Sequence, residues 1–158
     1  MMTIAGKTQP TTEASAGRPT LVGSIQADLV NLSATRNAVE SWLTDRVNQQ
    51  AIEDIVLVFN ELLSNAINAA APQDSVQYRV GSDGPRGANQ IRVTVTNFRV
   101  ETGWINTCAM PEPEAEGGRG LPLAEMYSDS LEILLALDRV EVTATFTVGD
   151  VSNWHMRA

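Results

Sequence analysis

One stretch of twenty residues, AIEDIVLVFNELLSNAINAA at 51–70, constrains the fold more than any other part of the chain. At 100° per residue its large apolar side chains gather on one side, which predicts an amphipathic helix packed on a core. Glu61, Asn65 and Asn68, at i, i+4 and i+7, are predicted on the opposite side. A carboxylate and two amides on one face suit a site that handles a proton and a hydrated cation, although a solvated outer face has the same pattern.

Shorter stretches on both sides of this helix predict the rest of the fold. Apolar and polar residues alternate in four of them, which is typical of half-buried strands, and a fifth short strand precedes the helices. These strands are expected at 21–25, 76–80, 91–97, 131–137 and 140–148. Helical spacing predicts a helix over 32–43, capped by Asp28 or Asn31, and Pro122 fits the first turn of a third helix at 121–129.

The order of these elements is strand, two helices, two strands, an irregular segment, a helix and two strands. It predicts an α/β (α+β) two-layer sandwich, in which three helices cover one face of a mostly antiparallel mixed sheet. We expect this domain to span residues 20–150. Residues 1–19 contain almost no large apolar side chain and are expected to form a flexible tail, with a second tail at 151–158.

The charge of the chain and its lack of certain residues argue against several classes of function. A net charge of −8 disfavours nucleic acid or an anionic membrane as a partner, because phosphates would be repelled. Cys108 and His155 are the single cysteine and histidine, which excludes an internal disulfide framework, a cysteine-rich zinc site and a histidine-based triad. The apolar runs are too short to span a membrane and the N-terminus lacks a secretion-signal pattern, which predicts a cytoplasmic protein.

An irregular segment and a glycine-rich turn follow the strand predicted at 91–97. From 98 to 116 no periodicity survives, and prolines and glutamates are frequent. A stretch of this kind inside a compact domain is often a lid over a site. It ends in Gly117-Gly118-Arg119-Gly120, just before the third helix. The backbone N–H groups of such a turn hold anions well and Arg119 adds a cation, although a simple turn accounts for the same residues.

The helix motif and the glycine turn together resemble the histidine-kinase-like ATPase superfamily. ELLSNAINAA at 61–70 is similar to its N box, and GGRGLPLAEMYSD at 117–129 is similar to its second glycine box. The ELLSNA and GGRGL spellings, the short lid and the small size are closest to the anti-sigma factor serine kinases. The resemblance in element order extends over about 21–149 and implies ATP and Mg²⁺ as cofactors.

The resemblance implies a role for each residue that matches a motif. Glu61 stands at the position of the family's general base. Asn65 stands at the position of the amide whose oxygen coordinates Mg²⁺ between the phosphates. Phosphate oxygens would be held by the glycine box: Gly117, Gly118, Arg119, Gly120 and the amide of Leu121. Such a set suits phosphoryl transfer, which depends mainly on positioning and on neutralising charge.

The part of the pattern that recognises adenine departs from the family. Its motif is Asp-x-Gly at the end of a strand, and counting along VTVTN places Asn97 at the aspartate and Arg99 at the glycine. An Asn oxygen still accepts a hydrogen bond from the adenine amino group, whereas Arg99 fills space meant for the base. A shifted register, Glu101-Thr102-Gly103, would keep the motif. Family members often carry a threonine in the next-to-last strand, and in this sequence Val140 stands near that position.

Three functions remain open. The resemblance favours an ATP-binding protein serine/threonine kinase of the anti-sigma-factor type, which binds a sigma factor and phosphorylates an anti-anti-sigma protein in a partner-switching pathway. Such kinases are commonly dimers, so a homodimer is within what the resemblance implies. The departures at Asn97 and Arg99 favour a binding module that regulates a partner without nucleotide turnover. The third function is a detached ATPase domain of a two-component system, against which the absent phosphoacceptor-histidine helix counts.

Overall fold

The computed structural model describes residues 11–15, 18–83, 90–98 and 120–148. Over these residues a six-stranded sheet carries three α-helices. The strands are β1 (Thr11–Ser15), β2 (Arg18–Gln26), β3 (Ser75–Asp83), β4 (Gln90–Phe98), β5 (Ser130–Leu135) and β6 (Arg139–Thr147). The helices are α1 (Leu32–Leu43), α2 (Gln49–Ala69) and α3 (Gly120–Tyr127). None of these three helices is both long and apolar enough to cross a membrane.

The sheet has the strand order β1-β2-β3-β4-β6-β5, and each neighbouring pair in it is antiparallel. The predicted two-layer α+β class is confirmed, but the described strands form no mixed sheet. The helices α1 and α2 return the chain to the end of the sheet that it left, so that Ser75 pairs with Gln26. The core lies between the sheet and α2, which packs on β3, β4 and β6.

Strand β1 lies inside the segment 1–19, which we expected to be a flexible tail. Its backbone pairs with β2 from Thr11 opposite Val22 to Ser15 opposite Arg18. A strand of this kind is ordered by backbone hydrogen bonds to an open sheet edge, so it needs no apolar pattern in its own sequence. The described sheet therefore begins at Thr11, before the domain start predicted at residue 20, and residues 11–15 are corrected from a flexible tail to a strand. The predicted second tail, 151–158, lies outside the described residues.

Polar residues set the starts of the first two helices. The Asp28 Oδ1 accepts a hydrogen bond from the Val30 N–H at 3.0 Å and begins a 3-10 turn that leads directly into α1. Asn31 makes no side-chain cap and instead donates to the Gln26 carbonyl at 3.1 Å, so Asp28 is the cap. The Asn48 Oδ1 caps α2 by accepting from the Ala51 N–H at 2.8 Å.

Helix α2 has the buried face that its sequence predicts. Ile55, Phe59 and Leu63 are fully buried. The ring of Phe59 meets the ring of Tyr78 edge to face, with 5.5 Å between the ring centroids. Tyr78 lies opposite Gly23 on β2, where an added Cβ would overlap the tyrosine ring. Burial raises the pKa of the Tyr78 hydroxyl above its ordinary value, so this group stays neutral at physiological pH.

Candidate functional site

The polar residues of α2 form a flank beside the core rather than an open outer face. Glu61 and Asn65 are half-buried, and Asn68, one turn further on, is exposed. The helix α3 packs against α2, so α2 is covered by both the sheet and a second helix. A fully solvated face would leave Glu61 and Asn65 exposed. Burial therefore distinguishes Glu61 and Asn65 from Asn68, and their place in a site stays a prediction.

Asn65 holds a polar atom that the fold does not use. Its Nδ2 is buried and has no hydrogen-bond partner among the residues that the structure describes. Leaving such a group unpaired costs about 1–3 kcal/mol, so buried polar groups normally meet a partner, a water or a bound group. Rotating the amide by about 180° exchanges its oxygen and nitrogen, so this position offers a ligand either an acceptor or a donor. The residue fits a bound cation or phosphate.

Ser64 belongs to the helix rather than to the site. Its Oγ donates a hydrogen bond to the Glu61 carbonyl oxygen at 3.2 Å. Serine hydroxyls inside helices commonly bond to the preceding turn in this way. The side chains of Glu61 and Asn65, one turn apart, are therefore the groups of this flank with which we associate chemistry.

Asn97 is brought to the same helix from the sheet. It lies near the end of β4 with 2% of its surface exposed, and its Nδ2 donates to the Ala66 carbonyl oxygen at 2.7 Å. Ala66 is the residue that follows Asn65. Its carbonyl oxygen also accepts from the Ala70 N–H at 3.1 Å, where α2 ends. One hydrogen bond thus joins the predicted base-binding residue to the helix that carries the predicted metal ligand.

The neighbours of Asn97 in the sheet are aliphatic. Val76 on β3 and Val140 on β6 lie directly opposite it in the two ladders. Val140, which the sequence placed near the family's threonine, is 4% exposed. Neither cross-strand neighbour of Asn97 therefore has a side chain that can form a hydrogen bond. At this point of the described sheet, Asn97 is the one side chain that was predicted to bind the base.

The end of the glycine box is described and leads into a helix, as the sequence predicts. Helix α3 begins at Gly120, its Pro122 lies within the first turn, and Ala124 is fully buried. Gly120 and Leu121 are therefore at a helix N-terminus, where backbone N–H groups favour anions. The remaining predicted residues, Arg99, 101–103, Gly117, Gly118, Arg119 and the lid at 99–116, lie outside the described residues.

The described residues contain no ready-made cluster of metal ligands at this site. Among the described residues, no three His, Cys, Asp or Glu side chains lie close enough to hold a metal ion. Mg²⁺ is often bound by one or two protein groups together with substrate phosphates and water. The Asn65 amide fits a Mg²⁺ ion bound in that way when it is turned so that its oxygen takes the place of Nδ2.

A groove outside the predicted site was not predicted from the sequence. A groove of about 320 Å³ lies between α1 and α2, on a different flank of α2 from Asn65. The Oδ1 of Asn60 is buried there without a partner among the described residues. No signal in the sequence distinguishes Asn60 from the other polar residues of the helix. The groove is lined by Arg36, Glu40, Ile52, Glu53, Val56, Leu57 and Asn60.

A family model for the histidine kinase-like ATPase domain matches residues 25–146. The chain belongs to this family. The matched range contains the whole of α1, α2 and α3 and every site residue predicted from the sequence. The predicted superfamily is therefore confirmed, and the aliphatic surroundings of Asn97 are a feature of a member of this family.

A solved structure has the same fold. The crystal structure of the RsbU and RsbW domains of Rv1364c from Mycobacterium tuberculosis aligns with a TM-score of 0.62 at 18% identity. The alignment covers 84% of this chain and 33% of that chain, so this chain spans about a third of the length of the solved protein. At this level of identity the similarity shows the fold. No curated protein matches the chain.

Proposed function

We propose that this protein is an ATP-binding, anti-sigma-factor-like serine/threonine kinase that acts in a partner-switching pathway. The observation that carries the proposal is the buried Asn65 amide without a partner, one turn beyond Glu61 on the helix that resembles the N box. Residues four apart on a helix lie on the same side, so a ligand at Asn65 is also close to Glu61. A solvated helix face does not require a buried, unbonded amide.

The site has two ends with different tasks. The phosphate end is formed by Glu61, Asn65 and the start of α3 at Gly120 and Leu121. The base end is formed by Asn97 and Val140. Mg²⁺ bound at Asn65 would supply positive charge to the phosphates.

Glu61 would act on the protein substrate. A serine or threonine hydroxyl of the partner attacks the γ-phosphorus, the new O–P bond forms, and the bond to ADP breaks. Glu61 accepts the hydroxyl proton, which a carboxylate does without any further cofactor. The reaction also requires that the attacking hydroxyl oxygen and the leaving oxygen of ADP lie in line through the phosphorus. The rigid helix α2 would hold Glu61 and Asn65 in the positions that this alignment needs.

The partners that we propose are proteins. A sigma factor would be bound and an anti-anti-sigma protein phosphorylated, in the cytoplasm, without direct contact with nucleic acid or a membrane, and with the kinase as a homodimer. The ELLSNA and GGRGL motifs support this proposal, as does the RsbW domain in the solved structure with the same fold. The net charge of −8 is consistent with a protein rather than a polyanion as partner.

The first test is calorimetric titration with ATP and ADP, with and without Mg²⁺, followed by transfer of labelled phosphate from ATP to a partner protein. Wild-type protein is expected to bind MgATP with micromolar affinity. Glu61→Gln keeps the size of the side chain and removes the base, so we expect MgATP affinity to stay within about twofold and phosphate transfer to be lost. Phosphate transfer by Glu61→Gln at the wild-type rate would contradict the role of Glu61.

A binding module without nucleotide turnover is the second candidate. The base end favours it, because Asn97 already donates to the protein backbone and Val140 carries no hydroxyl. The edge strand β5 also exposes about half of Leu134 and Leu135, which suits contact with a protein. This function predicts no heat of binding at millimolar nucleotide, with or without Mg²⁺.

A further inference from the structure

The hydrogen bond between Asn97 and Ala66 has a chemical direction that the family's aspartate cannot reproduce. We infer that Asn97 is a positioning residue, whose amide ties the end of α2 to β4 and thereby holds Asn65 in place. The Nδ2 of Asn97 donates to the Ala66 carbonyl oxygen at 2.7 Å in a buried setting. This hydrogen bond, called the tie below, is independent of the proposed function, whereas its effect on nucleotide binding rests on that function.

The Ala66 carbonyl oxygen, which Asn97 contacts, requires a hydrogen-bond donor. A backbone carbonyl oxygen only accepts hydrogen bonds, and an ionised aspartate offers only acceptors. An aspartate at position 97 would place a carboxylate against the Ala66 carbonyl oxygen with little access to water, which is unfavourable for the charged form. The amide of Asn97 is therefore more than a weaker substitute for an aspartate, because it makes a bond that an ionised aspartate cannot make.

The tie acts at the place where helix α2 ends. Ala66 lies in the last turn, and its carbonyl oxygen also accepts from the Ala70 N–H, the cap of the helix. Helix ends lack the regular bonds that hold the interior, so they move more easily. Asn97 sits on β4, which is paired with β3 on one side and β6 on the other. The sheet is thus a fixed point, and rotation of the helix end would displace Asn65, the residue next to Ala66.

The variant Asn97→Asp tests the tie through its response to pH. Near pH 8 we expect a melting temperature about 4–8 °C below that of wild type. The buried carboxyl should have a pKa raised above its unfolded value. The penalty should therefore shrink as the pH falls toward about 4, where the protonated carboxyl again has an O–H to donate to Ala66. Asn97→Ala also removes the donor, but its deficit relative to wild type should not change with pH.

Comparison with wild type at each pH removes the contributions of the other titrating groups. The residues opposite Asn97, Val76 and Val140, carry no charge. Tyr78, further along β3, remains neutral in this range because burial raises its pKa. Arg139 and Glu141 flank Val140 on β6, and they are the same in every variant. The charged groups at the near strand ends and on the two packed helices are also unchanged, and they include Asp74, Asp138, Glu61 and Glu125.

The effect on the site is measured by calorimetry with MgATP near pH 8, at a temperature where circular dichroism shows each variant to be folded. We expect Asn97→Asp to bind MgATP about tenfold more weakly than wild type. Val93→Ala is the matched control, since it opens a cavity on the same face of β4 and leaves Asn97 in place. Its melting temperature should fall by a similar amount while its MgATP affinity stays within about twofold of wild type.

The outcomes separate the inference from the proposed function. An Asn97→Asp deficit in melting temperature that does not change with pH would overturn the tie. Tighter MgATP binding by Asn97→Asp than by wild type would show that the bond to Ala66 is not needed to hold Asn65 in place. A chain unfolded near pH 8 that folds on acidification would support the tie. Failure of wild type to bind MgATP would overturn the proposed function, and the melting experiment would still decide the tie.

Discussion

The phosphate end and the base end of the proposed site are built in opposite ways. At the phosphate end, the Asn65 Nδ2 is buried and has no partner in the described part of the chain. At the base end, the Nδ2 of Asn97 already donates to Ala66, and Val140 offers no polar atom. Polar groups without an internal partner are available to a ligand, whereas bonded ones stabilise the fold. The polar side chain at the base end is therefore already used by the fold, whereas the amide nitrogen at the phosphate end is not used by the described residues.

The largest loss of MgATP affinity is expected from a change at the phosphate end. If this loss is absent, the two ends do not differ in the way described above. Asn65→Ala removes the unpartnered amide, so MgATP affinity should fall by about 100-fold or more, which is close to 3 kcal/mol. Thermal stability should change little, because the Nδ2 makes no bond within the described structure. Calorimetry and thermal melting provide the two measurements. Asn68→Ala, on the exposed turn that follows, is the control and should bind like wild type.

A change at the base end is expected to raise ATP affinity, and by less than the change at the phosphate end lowers it. Val140→Thr restores a hydroxyl directly opposite Asn97, so ATP affinity should rise by about threefold to tenfold. The buried hydroxyl should lower the melting temperature by a few degrees. Val142→Thr, two residues along the same strand and equally buried, should lower stability without raising affinity. Equal affinities for both variants would show that the base does not lie beside Asn97.

The smallest difference in affinity is expected between MgATP and MgGTP. A base end with Asn97 as its one polar side chain in register discriminates poorly, so the affinities for MgATP and MgGTP should agree within about threefold. Competition of the two nucleotides against a fluorescent analogue measures this ratio. A preference for ATP above about 100-fold would indicate that the base end reads adenine fully, and the contrast between the two ends would not hold.

The sequence predicts local elements well because hydrophobic periodicity is itself local. Helix α2 shows this best, since its buried face and its end near Pro72 both follow from neighbouring residues. Strand β1 escapes the same reasoning because its sequence, TTEAS, has no apolar alternation, and pairing with the backbone of β2 does not require one. Periodicity finds a strand only where one of its faces enters the core.

The placement of the candidate residues was predictable in part. Glu61 and Asn65 follow from helical spacing within one segment, and the structure places them on one flank. The bond from Asn97 to Ala66 joins residues 31 positions apart, so it depends on how sheet and helix pack. The change from an outer face to a half-buried flank also comes from packing, because α3 and the sheet cover α2. Neither effect has a signature in the spacing of residues.

The position of β6 would link the proposed nucleotide binding to the order in which the chain folds. It is the last described strand along the chain, yet it lies between β4 and β5 in the sheet. Helix α2 forms from contiguous residues, whereas the β4–β6 ladder must wait for a distant segment, and such pairings are slow. A folding intermediate with α2 in place would carry Glu61 and Asn65 but would leave β4 as an open edge. During refolding, nucleotide binding would therefore mark the arrival of β6 and not the formation of the helix.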